Sequence, residues 1–206
     1  MLAVSRTATM MDHALADAAG SALPIRLGAT LFVALLTAAS SQVSVPLPFT
    51  PVPFTLQPMV VLLGAAVLGP ELGLLSQVLY LTAGAAGLPV FAFAPDLPQG
   101  AARLLGPTGG YLMSYPLAAF ATGWLARRGF DRRYFTSVLA MATGLAIVFA
   151  GGIAWLTLFA PGSDTRSLQA ALAAGFYPFV VADLFKVCVA GAVMPAAWRL
   201  LDPARR

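Results

Sequence analysis

Charge is what this 206-residue chain has least of. Lys, Arg, Asp and Glu together make up 10% of it, against about 25% in an ordinary soluble domain. Hydrophobic residues make up 59% and the mean hydropathy is +0.84, so the lipid bilayer is the expected solvent. The single cysteine, Cys188, excludes a disulfide framework within the chain. The single histidine, His13, has no Cys or Glu beside it, and no metal site or cofactor is expected. No Gly-x4-Gly-Lys-Ser/Thr motif is present, which excludes ATP hydrolysis by a P-loop. The basic residues are too dispersed for a nucleic-acid surface and read as topology signals. Ser76, Ser114 and Cys188 lie in apolar segments with no histidine to activate them, so an intramembrane enzyme is not expected.

Long apolar runs are what the chain does have. Six segments suit spans of about 20 residues: 27–43, 55–68, 72–91, 108–126, 136–160 and 168–200. The second is short, and only Gly69-Pro70 separates it from the third. The expected fold is an all-α integral membrane protein, a six-transmembrane-helix bundle. Residues 1–24 contain Asp12, His13 and Asp17 with no sustained apolar run, so they lack the core of a cleavable signal peptide. They are expected to form a cytoplasmic N-terminal segment, with 25–200 as the membrane domain and 201–206 as a cytoplasmic tail. Six spans put both termini on one side with the loop Arg127-Arg128-Gly129-Phe130-Asp131-Arg132-Arg133. That side collects nine of the eleven arginines, all but Arg103 and Arg166. The positive-inside rule then places both termini in the cytoplasm and the protein in the cell membrane, crossing it several times.

One stretch breaks the apolar pattern. In Phe179-Val-Val-Ala-Asp183-Leu-Phe-Lys186-Val-Cys-Val-Ala190 an acid and the only lysine sit near the middle of the last segment. At a spacing of i, i+3 they share one helix face. Charges at that depth face a cavity, pair with each other or meet a substrate, and their central position favours a binding site over a surface cap.

Two outward connections carry further chemistry. From Val45 to Pro58 the chain holds Pro46, Pro48, Pro51, Pro53 and Pro58, so it is extended and rigid rather than helical. Its Phe49, Phe54 and Gln57 suit contact with an amphipathic ligand, where a stiff linker would need none of them. In the second connection, Leu105-Gly-Pro-Thr108-Gly-Gly-Tyr111 precedes a helix. It either presents backbone N–H groups to the cavity or simply caps the helix through Thr108, and the spacing favours the cap. In the first span Ala34-x-x-x-Ala38 is a small-residue motif that lets helices approach closely, within this bundle or against a partner.

The segments from Pro48 to Gln57, Leu68-Gly-Pro, Gly87-Leu-Pro-Val-Phe91, Leu105-Gly-Pro-Thr-Gly-Gly-Tyr111 and Asp183-Leu-Phe-Lys186 stand in the order and spacing of the BioY family. The chain resembles that family over roughly residues 25–200. These are the biotin-specific S components of energy-coupling-factor transporters. The resemblance implies a substrate cavity opening outward, and partnership with a transmembrane coupling subunit and a pair of cytoplasmic ATPases. It carries Ala34 and Ala38 over to the surface that meets the coupling subunit. The sequence departs from the family between Phe91 and Gly106, where many relatives carry a run of glycines; here Asp96 and Gln99 stand in that loop.

Biotin's chemistry suits these residues. Asp183 can accept the ureido N–H groups, and Lys186 can donate to the ureido carbonyl or to the tail carboxylate. Phe49, Phe54, Phe93, Tyr111 and Tyr177 are candidates to sandwich the rings, with Gln57 as a further polar contact. The expected function is high-affinity biotin capture and uptake as an S component. The alternative is a proton-coupled or solitary carrier of biotin or another small vitamin, with Asp183 as a proton relay.

Overall fold

The computed structural model describes residues 8–16, 22–94, 97–159 and 167–201. Among these, helices α1 (Met10–Ala16), α2 (Ala22–Gln42), α3 (Gln57–Leu68), α4 (Pro70–Ala85), α5 (Ala101–Leu105), α6 (Gly109–Arg127), α7 (Tyr134–Leu158), α8 (Leu168–Gly175) and α9 (Tyr177–Leu201) follow one another. Two short strands, β1 (Ser44–Val45) and β2 (Phe54–Thr55), pair antiparallel between α2 and α3. A 3-10 turn at Phe130–Arg132 joins α6 to α7. The fold is all-α, as the long apolar runs require.

Helices α2, α7 and α9 are long and apolar enough to cross a bilayer. The shortness of α3, 12 residues or about 18 Å at 1.5 Å per residue, follows from its position. It packs against α2, α4, α6, α7 and α9, and Val61, Leu62 and Ala65 are wholly buried. A helix enclosed by others need not match the thickness of the hydrocarbon. Gly69 ends it with φ of +84°, a conformation open to glycine, and Pro70 starts α4 at once, its missing N–H costing nothing at a helix N-terminus.

Two features depart from the expected segments. The last apolar run is two helices, not one: α8 and α9 meet at Phe176. Pro178 has no N–H to give to the Ala174 carbonyl, and that carbonyl instead accepts the Thr50 hydroxyl from the proline-rich loop. The N-terminal segment also contains a helix. Thr9 caps α1 reciprocally with Asp12, the Asp12 N–H donating to Thr9 Oγ1 at 3.2 Å and the Thr9 N–H to Asp12 Oδ2 at 3.0 Å. Its Met10 and Met11 are buried, and Arg132 Nη2 donates to the Ala8 carbonyl at 3.0 Å.

The end of the bundle that carries α1 also holds the charged loop. Glu71 pairs with Arg127 at 2.8 Å, and the Arg128 and Arg132 guanidiniums lie 3.4 Å from the ring centroids of Trp124 and Trp198. Asp131 is 1% exposed and accepts Trp198 Nε1–H at 2.6 Å. Burial pushes its carboxyl above the ordinary value, while the Trp198 hydrogen bond and Arg132 pull it back. Arg6, Arg166, Arg205 and Arg206 lie outside the described residues.

Candidate substrate-binding site

The proline-rich segment folds into a hairpin that roofs a cavity between α3, α6, α7 and α9. β2 brings Phe54 and Thr55 over the cavity, and Gln57 opens α3 directly beneath them. Hydroxyls hold the roof down: Thr50 on Ala174 O, and Ser44 on Phe93 O at 2.8 Å. The cavity encloses about 60 Å³, room for only a few water molecules. Phe54, Tyr111, Tyr115, Phe149 and Phe179 are the aromatic part of its apolar wall. The Phe54 and Phe179 rings lie nearly parallel, 6.5 Å apart at 11°.

Two polar stations interrupt that wall. At the first, Asp183, 6% exposed, reaches the cavity from α9. Lys186 stands behind it, with Nζ 2.7 Å from Asp183 Oδ1 and donating at 2.6 Å to the Thr55 carbonyl. The same ammonium lies 3.6 Å from the Phe54 ring centroid, a cation–π contact strengthened by burial. Lys186 thus ties α9 to β2, and the lysine itself is not part of the cavity wall. Gln57 Nε2 donates to Tyr80 Oη at 2.6 Å.

At the second station, Arg103 from α5 and Thr108 before α6 reach the wall. Arg103 is 1% exposed, and its guanidinium donates to the carbonyls of Ala92 and, at 3.4 Å, Pro98. Burial pushes it below its ordinary value. Thr108 is helical at φ −85°, ψ −6°, and its side chain does not cap α6. Its hydroxyl is buried with no hydrogen-bond partner among the described residues, in contrast to the capping role that its spacing suggests.

The expected site residues fall into two groups. Asp183, Gln57, Phe54 and Tyr111 line the cavity, and Lys186 braces Asp183 from behind. Phe49, Phe93 and Tyr177 are 66%, 65% and 61% exposed and stand away from it. Ala34 is buried in the core and Ala38 packs half-buried against it, so this small-residue face turns into the bundle. Asp96 lies outside the described residues, and Gln99 is exposed. Sequence reasoning passed over Tyr115, Phe149 and Phe179, whose chemistry matches that of lipid-facing aromatics. It counted Arg103 only as a topology signal; its isolation in a charge-poor loop was the available clue.

The BioY family model matches residues 14–203. A probable biotin transporter of Pyrococcus horikoshii is 41% identical over 160 residues, covering 78% of this chain and 87% of that protein. The biotin transporter of Thermotoga maritima is 40% identical over 166 residues, covering 80% and 90%. A crystal structure of the S-component for biotin from an ECF-type ABC transporter superposes with a TM-score of 0.76 over 87% of this chain and 94% of that one, at 23% identity. The fold is therefore that of a solved S-component, and the sequence match spans nearly the whole bundle: the chain belongs to the BioY family.

Proposed function

We propose that the protein captures biotin from outside the cell and carries it across the cytoplasmic membrane as the S component of an energy-coupling-factor transporter. The observation that carries this reading is Asp183, a buried carboxylate held by Lys186 at the wall of an apolar, aromatic cavity. A carboxylate so placed accepts hydrogen bonds from a neutral donor pair, and a ureido ring offers one beside an apolar bicycle. The named relatives supply the substrate.

In this reading the six helices of 12 residues or more, α2, α3, α4, α6, α7 and α9, are the membrane domain within 25–200. The arginine-rich end faces the cytoplasm with both termini, 1–24 and 201–206. A transmembrane coupling subunit and cytoplasmic ATPases complete the transporter, because the chain has no nucleotide-binding motif of its own. The narrow cavity admits a bicyclic vitamin by displacement of the hairpin roof.

Labelled biotin binding to the purified protein in detergent, competed by unlabelled biotin, thiamine and riboflavin, tests this. Stoichiometric binding displaced by biotin alone is the expected result. A folded protein that binds none, or that gives up its label equally to thiamine, overturns it. Uptake driven by a pH gradient without ATPases would favour a solitary proton-coupled carrier.

A further inference from the structure

A second cavity opens at the arginine-rich end of the bundle, away from the substrate site. It lies where α1, α2, the α3–α4 turn and the end of α6 meet, and it encloses about 290 Å³. Asp12, Arg26, Glu71 and Arg127 line it, with Thr9 and the segment from Leu68 to Leu72. The two carboxylates and two guanidiniums balance in number but not in engagement. Glu71 and Arg127 neutralise each other, Arg127 Nη1 donating to both Glu71 oxygens at 2.8 and 2.9 Å. Asp12 commits one oxygen to Thr9: Oδ2 accepts the Thr9 N–H at 3.0 Å and its hydroxyl at 2.8 Å. Asp12 Oδ1 and the Arg26 guanidinium are without a partner among the described residues, and the two do not pair with each other. One positive and one negative group therefore face the same groove, the complement of a zwitterion.

Apolar surface starts at the same level. Leu23, Leu27 and Leu31 are exposed on α2 at four-residue spacing, around Arg26, and such a spacing makes one stripe along a helix. On α4, Leu72 lines the groove, and Leu75 and Leu79 follow it, exposed, at i+3 and i+7. Two apolar stripes running from a zwitterion-matching groove suit a molecule with two acyl chains. A water-soluble zwitterion would leave both stripes unused.

We propose that this groove holds the headgroup of an ethanolamine phospholipid from the leaflet that the arginine-rich end faces. The phosphate accepts from Arg26 and from the Arg127 donors not turned to Glu71, since a guanidinium carries five N–H groups. The ammonium donates to Asp12 Oδ1. A choline headgroup keeps the positive charge but has no N–H to give, and a glycerol headgroup leaves Asp12 beside a phosphate with no cation between them. The groove thus ranks lipids by their amine, and a bound lipid ties α1 to α2 and α6. The proposal rests on the membrane fold and is independent of what the substrate cavity carries.

Native mass spectrometry of the delipidated protein reads the site, with ethanolamine, choline and glycerol phospholipids of matched chains titrated in detergent. One ethanolamine lipid should bind at least fivefold more tightly than either of the others. Its affinity should fall as methyl groups replace the amine hydrogens one by one. Arg26→Gln should weaken all three lipids about three- to tenfold. Asp12→Asn, which keeps an oxygen for Thr9, should bring the ethanolamine lipid down to the level of the choline lipid and leave the latter unchanged. Thermal unfolding shows which variants fold, and the methylation series in the parent decides if neither does. Glycerophosphoethanolamine at equal concentration should displace nothing; displacement would assign the groove to a soluble phosphate ester and overturn the lipid. Equal retention of the three lipids by the parent, or an unchanged ranking and affinity in both folded variants, also overturns it.

Discussion

Replacing Lys186 by methionine keeps the length of the side chain and removes three interactions together. They are the 2.7 Å ion pair with Asp183, the 2.6 Å hydrogen bond to the Thr55 carbonyl and the 3.6 Å contact with the Phe54 ring. Asp183 then stays buried without its counter-charge. Stranding one member of a desolvated pair costs about 2–5 kcal/mol, roughly 30-fold to several thousand-fold in an equilibrium constant at 1.4 kcal/mol per decade. The cost falls on the site because Asp183 is the member that faces the ligand. Biotin affinity should thus drop at least tenfold in both Lys186→Met and Asp183→Asn, measured by equilibrium binding in detergent with thermal unfolding in parallel. The double variant separates two accounts of the pair. With no stranded charge, its melting temperature should recover toward that of the parent. Its biotin affinity should not, since the ligand still lacks an ionised acceptor. If both single variants bind within threefold of the parent, or if affinity recovers together with stability in the double variant, the pair is a structural brace and the reasoning fails.

Gly152→Ala would drive a methyl group into the Tyr111 ring, which lines the cavity and donates its hydroxyl to the Gly175 carbonyl at 2.8 Å. Overpacking of this kind costs about 1–3 kcal/mol; biotin affinity should fall with the melting temperature, and unchanged binding would remove Tyr111 from the wall. Trp198→Phe deletes the 2.6 Å donor to buried Asp131 and should lower unfolding stability by about 1–3 kcal/mol, read by chemical or thermal denaturation, with biotin binding retained. Burial raises the Asp131 carboxyl above its ordinary value, so the folded state holds that proton more tightly than the unfolded one. Its contribution is most favourable below about pH 4, near the ordinary value, and is lost as pH rises through the raised one. Asp131→Asn keeps an acceptor for Trp198 and escapes this loss, so its melting temperature should gain on that of the parent across that window; parallel pH profiles would refute the assignment.

Helix positions were legible in the sequence because lipid demands long apolar runs, and α2, α6 and α7 fall close to the segments read from hydropathy. The α8–α9 break was hidden inside an unbroken apolar run. Its cause, Pro178, acts only when another donor claims the freed carbonyl, and that donor is Thr50, 124 residues away. Asp183 and Lys186 stood out because charge is rare at that depth. The division of labour between them did not, since it depends on where the Thr55 carbonyl and the Phe54 ring arrive from β2. Exposure separates Phe54 from Phe49 and Phe93 in the fold, while in the sequence the three are equivalent aromatics of proline-containing loops. Helix α1 escaped notice because its apolar contacts come from two methionines and its cap from a Thr9–Asp12 pair only three residues apart.

The hairpin's fastenings bear on how long a captured molecule stays. Thr50 and Ser44 hook onto carbonyl oxygens, and Lys186 grips a third at the hairpin's own Thr55. Water can satisfy each of these acceptors when a hook lets go. Lifting the hairpin also takes Val52 and Phe54 out of their apolar packing, so opening combines small polar exchanges with one apolar separation. The hooks then add to a barrier that the apolar contact sets. Each hydroxyl removed should shorten residence by a similar factor, while the stability of the helical frame stays nearly the same.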